Sequence, residues 1–265
     1  MSGALADWQQ IDRQPEPGRY VEYMDRGERT VQHQQIRDAL LRAAGPRPGA
    51  AVDVGCGLGL AVEQLAAHGW HATGLDANRT MVEEARRRRP GHDFRIADAL
   101  ALPFADGVLD LYRAERLWIH LTPRQSALAL AEARRVLRPG GRIAIAEADF
   151  ETFVFTCGDD CLATARAARA ALGASLRERR AGSLLRGRLV SAGFEEVVVD
   201  GHVELFTETR LALPMAIDVA LAAGVAAGRV TVEEATALRE DLERLERDGA
   251  FQMSLTMFVV SARKR

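Results

Sequence analysis

Ala51-Val52-Asp53-Val54-Gly55-Cys56-Gly57-Leu58-Gly59 is the stretch whose reading decides the fold. An apolar run rich in β-branched residues stops at three glycines in alternate positions, and Leu60 to His68 then carries apolar residues at helical spacing. The pattern predicts a buried strand, a tight turn and a helix N-terminus. Glycine belongs in such a turn because a side chain would hold a ligand away from the backbone. The turn therefore reads as a nucleotide-type binding site.

Two features decide which nucleotide. A dinucleotide fold asks for G-x-G-x-x-G; here Gly59 arrives one residue early, and an acidic residue, Asp53, lies within the strand. A second acid, Asp76, ends the next apolar strand, His71-Ala-Thr-Gly-Leu-Asp76, where a carboxylate can hold both hydroxyls of a ribose. A third, Asp98 in Ile96-Ala97-Asp98-Ala99-Leu100, closes a further strand and suits the exocyclic amine of an adenine; capping its own turn is the plainer reading. From Ala50 to Asp149 strands (50–54, 71–75, 93–97, 108–113, 142–148) alternate with helices (58–68, 79–89, 114–120, 123–137), which argues for a parallel sheet.

The loop AVDVGCGLG resembles the first motif of class I S-adenosylmethionine (SAM)-dependent methyltransferases more closely than the NAD fingerprint. With LPFADGVLDL and the helix stop Arg135-Val-Leu-Arg-Pro-Gly-Gly141, residues 48–150 resemble the small-molecule branch that includes ubiquinone/menaquinone and natural-product methyltransferases. The resemblance implies an α/β fold: a Rossmann-like, seven-stranded, mostly parallel sheet with an antiparallel last strand. Around it are expected a helical N-terminal cap (1–49) and helical insertions at about 151–193 and 209–250 of the 50–265 domain. It also implies roles. Gly55, Cys56 and Gly57 would contact the methionine part of SAM, Asp76 the ribose, and Asp98 with Ala99 the adenine, with Ala77 and Met81 on its face. Asp53 belongs to the same cofactor set, and Arg113 would bind the carboxylate or tie down the cap.

For the chemistry, His120 and Asp149 are the candidate base and substrate contact. Trp8, Tyr20 and Tyr23 are half of the chain's Trp and Tyr residues, and read as an aromatic cap over the methyl end or as ordinary packing. Leu211 to Gly228, rich in Ala and Gly, reads as a lid helix walling an apolar acceptor pocket, with Ala222 and Ala223 toward it.

The remaining composition sets bounds. The 265 residues, 48% apolar, suffice for one decorated domain with a full core. A net charge of −2 argues against a nucleic-acid partner. Cys157 and Cys161 form a C-x3-C without a matching histidine pair, so neither a metal site nor a disulfide framework is expected. The N-terminus has no signal pattern and no run suits a membrane span, so a cytoplasmic monomer or homodimer acting on a small molecule is expected. Two other readings stay open: a SAM-binding protein or SAM-dependent enzyme without methyl transfer, and an NAD-dependent oxidoreductase, which the glycine spacing disfavours.

Overall fold

The computed structural model describes residues 8–13, 18–28, 30–46 and 48–265; the side chains of residues 8–10, 19 and 215 lie outside that description. After a 3-10 turn (Trp8–Arg13) come α1 (Gly18–Glu28) and α2 (Val31–Ala44). Strands and helices then alternate: β1 (Ala50–Val54), α3 (Leu60–Ala67), β2 (His71–Asp76), α4 (Arg79–Arg88), β3 (Asp93–Ile96), β4 (Leu109–Glu115), α5 (Pro123–Val136) and β5 (Leu137–Phe155). The C-terminal part adds α6 (Leu162–Ser175), α7 (Ala181–Ser191), β6 (Phe194–Phe206), α8 (Thr209–Ala212), α9 (Asp218–Ala226), α10 (Val232–Arg247) and β7 (Met253–Lys264).

The seven strands form one sheet in the order β3-β2-β1-β4-β5-β7-β6. β1, β2, β3, β4 and β5 are parallel to their neighbours, and β7 runs antiparallel between β5 and β6. This is the expected Rossmann-like sheet. Strand alternation feeds two cores. Leu111, Ala144 and Ala146 face α2, α6 and α9, whereas Tyr112, Ile143 and Ile145 face α5 and α7.

Three local expectations are corrected. Residues 114–120 are not a helix: β4 continues to Glu115, Arg116 adopts φ 52°, and a single 3-10 turn spans Trp118–His120. Thr122 starts the next helix instead, accepting the Gln125 N–H in a reciprocal capping box. Within the expected helical cap, the sequence from Arg26 to Ala44 reads as one helix; the structure breaks it at Thr30, whose side chain accepts from the His33 N–H and caps α2. The long segment after β6 is also divided. Leu213–Ile217, containing Pro214, forms a π turn, and Gly228 (φ 63°) separates α9 from α10, which restarts at the Thr231 cap.

Candidate functional site

The strand order reverses between β1 and β4, and ligands of open parallel sheets bind outside the strand ends at such a reversal. A cleft of about 450 Å³ lies there. Its sheet-side wall is made by the ends of β1, β2, β4 and β5. Tyr23, Met24, Gly27 and Glu28 of α1, with His33 and Arg37 of α2, form the opposite wall. Deeper in, the lining turns apolar with Phe150, Leu172, Leu176, Phe206, Val219 and Leu255. The cleft thus has a polar half over the glycine loop and an apolar chamber beyond it.

The glycine loop is built for close approach. Gly55, Gly57 and Gly59 have φ of 75°, 51° and 86°, a region L side chains rarely adopt. A Cβ on Gly57 would come within 2.8 Å of the Met24 methyl. The N–H groups, however, are spent inside the protein: Gly55 and Cys56 donate to the Leu75 carbonyl at 2.8 and 2.9 Å, and Gly57 donates to Asp76 at 3.1 Å. What Gly55 and Gly57 offer a ligand is a backbone surface without a side chain. The Cys56 thiol packs with Phe94, Val62 and Val82, and burial beside Asp76 and Asp53 pushes its pKa well above the usual thiol range.

Asp76 is 8% exposed at the end of β2 and lines the cleft. Burial raises its pKa, opposed by the N–H groups of Asn78 and Gly57 and by the Asn78 amide. Asp98 lines the cleft with Ala77, Met81 and Ala99, and one of its oxygens accepts the Leu100 N–H at 2.9 Å, so it caps its own turn while facing the cleft.

Arg113 does not face a ligand alone. It donates to Asp53 at 2.6 Å and to Glu115 at 2.6 Å. Arg116 continues the chain to Glu115 at 2.5 Å and to Glu204 of β6 at 3.0 Å. Burial would raise the Glu115 carboxyl, but Arg116 and Arg113 hold it down at about 2. Asp53 is 1% exposed and its charge is matched within this chain of ion pairs. The cation with capacity left is Arg37: it is 5% exposed and lines the cleft, and its Nε has no hydrogen-bond partner among the described residues. Sequence reading passed over Arg37, because one arginine in a helix carries no spacing signal.

The two proposed chemical residues separate. His120 lines the cleft, and burial, aided by Arg177, lowers its pKa to about 4. Asp149 does not line it. The carboxylate accepts the N–H of Glu151 at 3.0 Å and of Ser183 at 3.1 Å, and so caps the first turn of α7. Its place at the exit of β5 suggested the rim, but its side chain turns the other way. The aromatic trio divides too. Tyr23 lines the cleft, Tyr20 packs away from it against Ile11, Leu58 and Met81, and the Trp8 side chain lies outside the described residues. Glu147, which sequence reading also passed over, is wholly buried, lines the cleft, and accepts from Trp118 N–H at 2.6 Å, Ala148 N–H at 3.0 Å and Ile119 N–H at 3.3 Å.

Comparison with known proteins fits this geometry. Residues 52–145 match the methyltransferase domain family. The matched stretch begins in β1 and ends in β5, and so holds the glycine loop, Asp76, Asp98 and the Asp53–Arg113–Glu115 ion pairs. Over 112 residues the chain is 40% identical to the demethylmenaquinone methyltransferase of Beutenbergia cavernae, covering 42% of this chain and 46% of that protein. An O-methyltransferase of Aspergillus nomiae is 34% identical over 140 residues, covering 48% and 61%. Among solved structures, the [4+2]-cyclase SpnF aligns with a TM-score of 0.53 at 25% identity, covering 88% of this chain and 80% of that one. The chain spans about half the length of the curated relatives it matches.

Proposed function

We propose that the protein is a SAM-dependent methyltransferase that acts on a small, largely apolar acceptor. The observation that carries this reading is the two-part cleft: a glycine loop with a buried carboxylate, Asp76, in one half, and an apolar chamber continuous with it. Seven carboxyl groups and three guanidinium groups line the cleft, an acid excess that favours a cationic cofactor. Asp76 would hold the ribose, Gly55 and Gly57 would let the methionine part lie against bare backbone, and Asp98, Ala99, Ala77 and Met81 would surround the adenine. Arg37 would take the carboxylate in place of Arg113, whose hydrogen bonds are committed to Asp53 and Glu115. SAM supplies an activated methyl group. The protein's task is then to hold the acceptor in line with that group and keep water away.

The methyltransferase names of the relatives support methyl transfer, and SpnF supports a second reading, in which the fold serves a reaction other than methylation. Both readings share the cleft, so the test is product analysis. Incubation with SAM and a panel of apolar acceptors should release S-adenosylhomocysteine together with a methylated acceptor. Calorimetry should show SAM binding and no NAD binding. Acceptor consumption without S-adenosylhomocysteine would favour the second reading. No helix among the described residues is long and apolar enough to cross a membrane. A role in natural-product biosynthesis, in the cytoplasm and as a monomer or homodimer, belongs to the same proposal, as does the absence of a nucleic-acid partner.

A further inference from the structure

The methyl-transfer reading leaves open which group, if any, removes a proton from the acceptor. Methylating a phenol or enol on oxygen at neutral pH calls for a base. The titratable groups facing the cleft can be sorted by what already holds them. Glu115 is paired with two guanidinium groups. Glu204 is paired with Arg116. Asp149 caps α7 outside the cleft. The imidazole of His120 is too weakly basic where it lies.

Glu147 remains. It stands on β5 between the turn Trp118–His120 and the start of the apolar chamber at Phe150, and no part of it is exposed to bulk water. Three backbone N–H groups fix the carboxylate, and among the described residues no ion pair holds it. A carboxylate has about four acceptor positions, so one is left for the cleft. The surrounding charged and titratable groups are Arg116 at the end of β4, His120 on the turn, Tyr23 on α1 and Glu204 on β6.

The geometry points to Glu147 as a catalytic residue, the base for an uncharged, apolar acceptor that carries a phenolic or enolic O–H. This rests on the SAM reading above. As the acceptor oxygen bonds to the methyl carbon, the carbon–sulfur bond breaks and its electron pair returns to sulfur, giving neutral S-adenosylhomocysteine. The hydroxyl proton passes to the Glu147 carboxylate. Burial, opposed by the three N–H groups and by Arg116, raises the Glu147 pKa to about 7, which suits a base working near neutral pH. The acid excess of the cleft disfavours acceptors that carry a phosphate or carboxylate apart from the reacting oxygen, because methyl transfer does not remove that charge, whereas it does remove the charge of an ionised phenol.

The test uses the full chain, SAM and two naphthols of similar size: 2-naphthol, which ionises near ~10 as tyrosine does, and a nitro-substituted naphthol already ionised at the assay pH. Glu147→Gln keeps a carbonyl oxygen for the Trp118 and Ile119 N–H groups but cannot take a proton. Its kcat on 2-naphthol should fall about 100-fold or more, and on the nitro-naphthol by no more than about threefold, with SAM affinity by calorimetry within about twofold. Wild-type kcat on 2-naphthol should rise with pH through about 7, and stay flat on the nitro-naphthol. Equal losses on both probes, or a loss of SAM affinity in the variant, would make Glu147 a strut for the turn and overturn the proposal. So would a wild-type protein that binds SAM and methylates neither naphthol. A wild-type protein that binds no SAM brings down the cofactor reading itself.

Discussion

In the proposed function Arg37 and Asp76 hold opposite ends of SAM, and a pair of ligands can tell these roles apart. SAM and 5′-methylthioadenosine share the adenine and ribose, but only SAM has the carboxylate. Arg37→Met keeps an apolar stem in the wall of α2 and removes the charge. A charge-assisted hydrogen bond contributes about 1.5–3 kcal/mol, so SAM affinity should fall roughly 10- to 100-fold while 5′-methylthioadenosine binds as before. Asp76→Asn should weaken both ligands by a similar factor. Calorimetry with the two ligands checks each outcome, and equal losses in the Arg37 variant would remove it from the carboxylate site. At this scale the sequence was legible where a strand fixed the position. Asp53, Asp76, Asp98, Ala99 and Arg113 follow from strand ends, and all line the cleft. Arg37, Glu147 and Glu204 come from elements distant in sequence, and only tertiary packing brings them to the same space. The four arginines from Arg86 to Arg89 would by charge alone read as a solvated end of α4, but part of the run is tied down: Arg88 bonds Asp25 of α1 at 2.6 Å, and Arg89 bonds the Leu58 carbonyl at 2.5 Å.

Among the elements, two short irregular turns shape the acceptor chamber, and neither was readable as such. Trp118–His120 looks helical by apolar spacing, but the turn closes after three residues, with the Leu121 N–H donating to the Trp118 carbonyl, and Thr122 caps a new helix. Leu213–Ile217 widens to a π turn at Pro214, and this shift decides which residues face the chamber. Ala216 and Val219 line it; Ala222 and Ala223, placed there from sequence, do not. The segment expected as a lid therefore lines the chamber one turn earlier than its composition suggested. Val219 is only half-buried, so a larger side chain can be taken into the chamber without splitting the core. Val219→Phe should raise the acceptor KM at least about tenfold, with SAM affinity unchanged within about twofold and a melting temperature within a few degrees. Ala223→Phe serves as the contrast and should leave acceptor KM unchanged. The same KM shift in both would place the chamber wall along all of α9.

For the whole molecule, the question is whether the N-terminal segment belongs to the fold or to the site. Its packing is separable: Ile11 and Tyr20 form a small cluster with Leu58 and Met81, apart from the two large cores on the faces of the sheet. Polar contacts of its first turn reach the rim of the cleft. Asp12 accepts the N–H groups of Arg79 at 2.7 Å and Thr80 at 2.9 Å, capping α4 immediately after Asp76, and the Ile11 N–H donates to Asn78 at 3.1 Å. Tyr23, Met24 and Glu28 then close the side of the cleft facing the glycine loop. Deleting residues 1–29 removes the burial of two large side chains, about 1.5–3 kcal/mol each, and leaves both main cores intact. The truncated protein should keep its circular-dichroism spectrum and unfold cooperatively at a temperature lowered by only several degrees. It loses a wall of the cofactor half, so SAM affinity should drop at least about tenfold, and water admitted to the cleft should reduce methyl transfer further. Loss of cooperative unfolding would make the segment part of the core. Unchanged SAM affinity and turnover in the folded truncation would reduce it to surface packing, with the capping of α4 by Asp12 as its contribution.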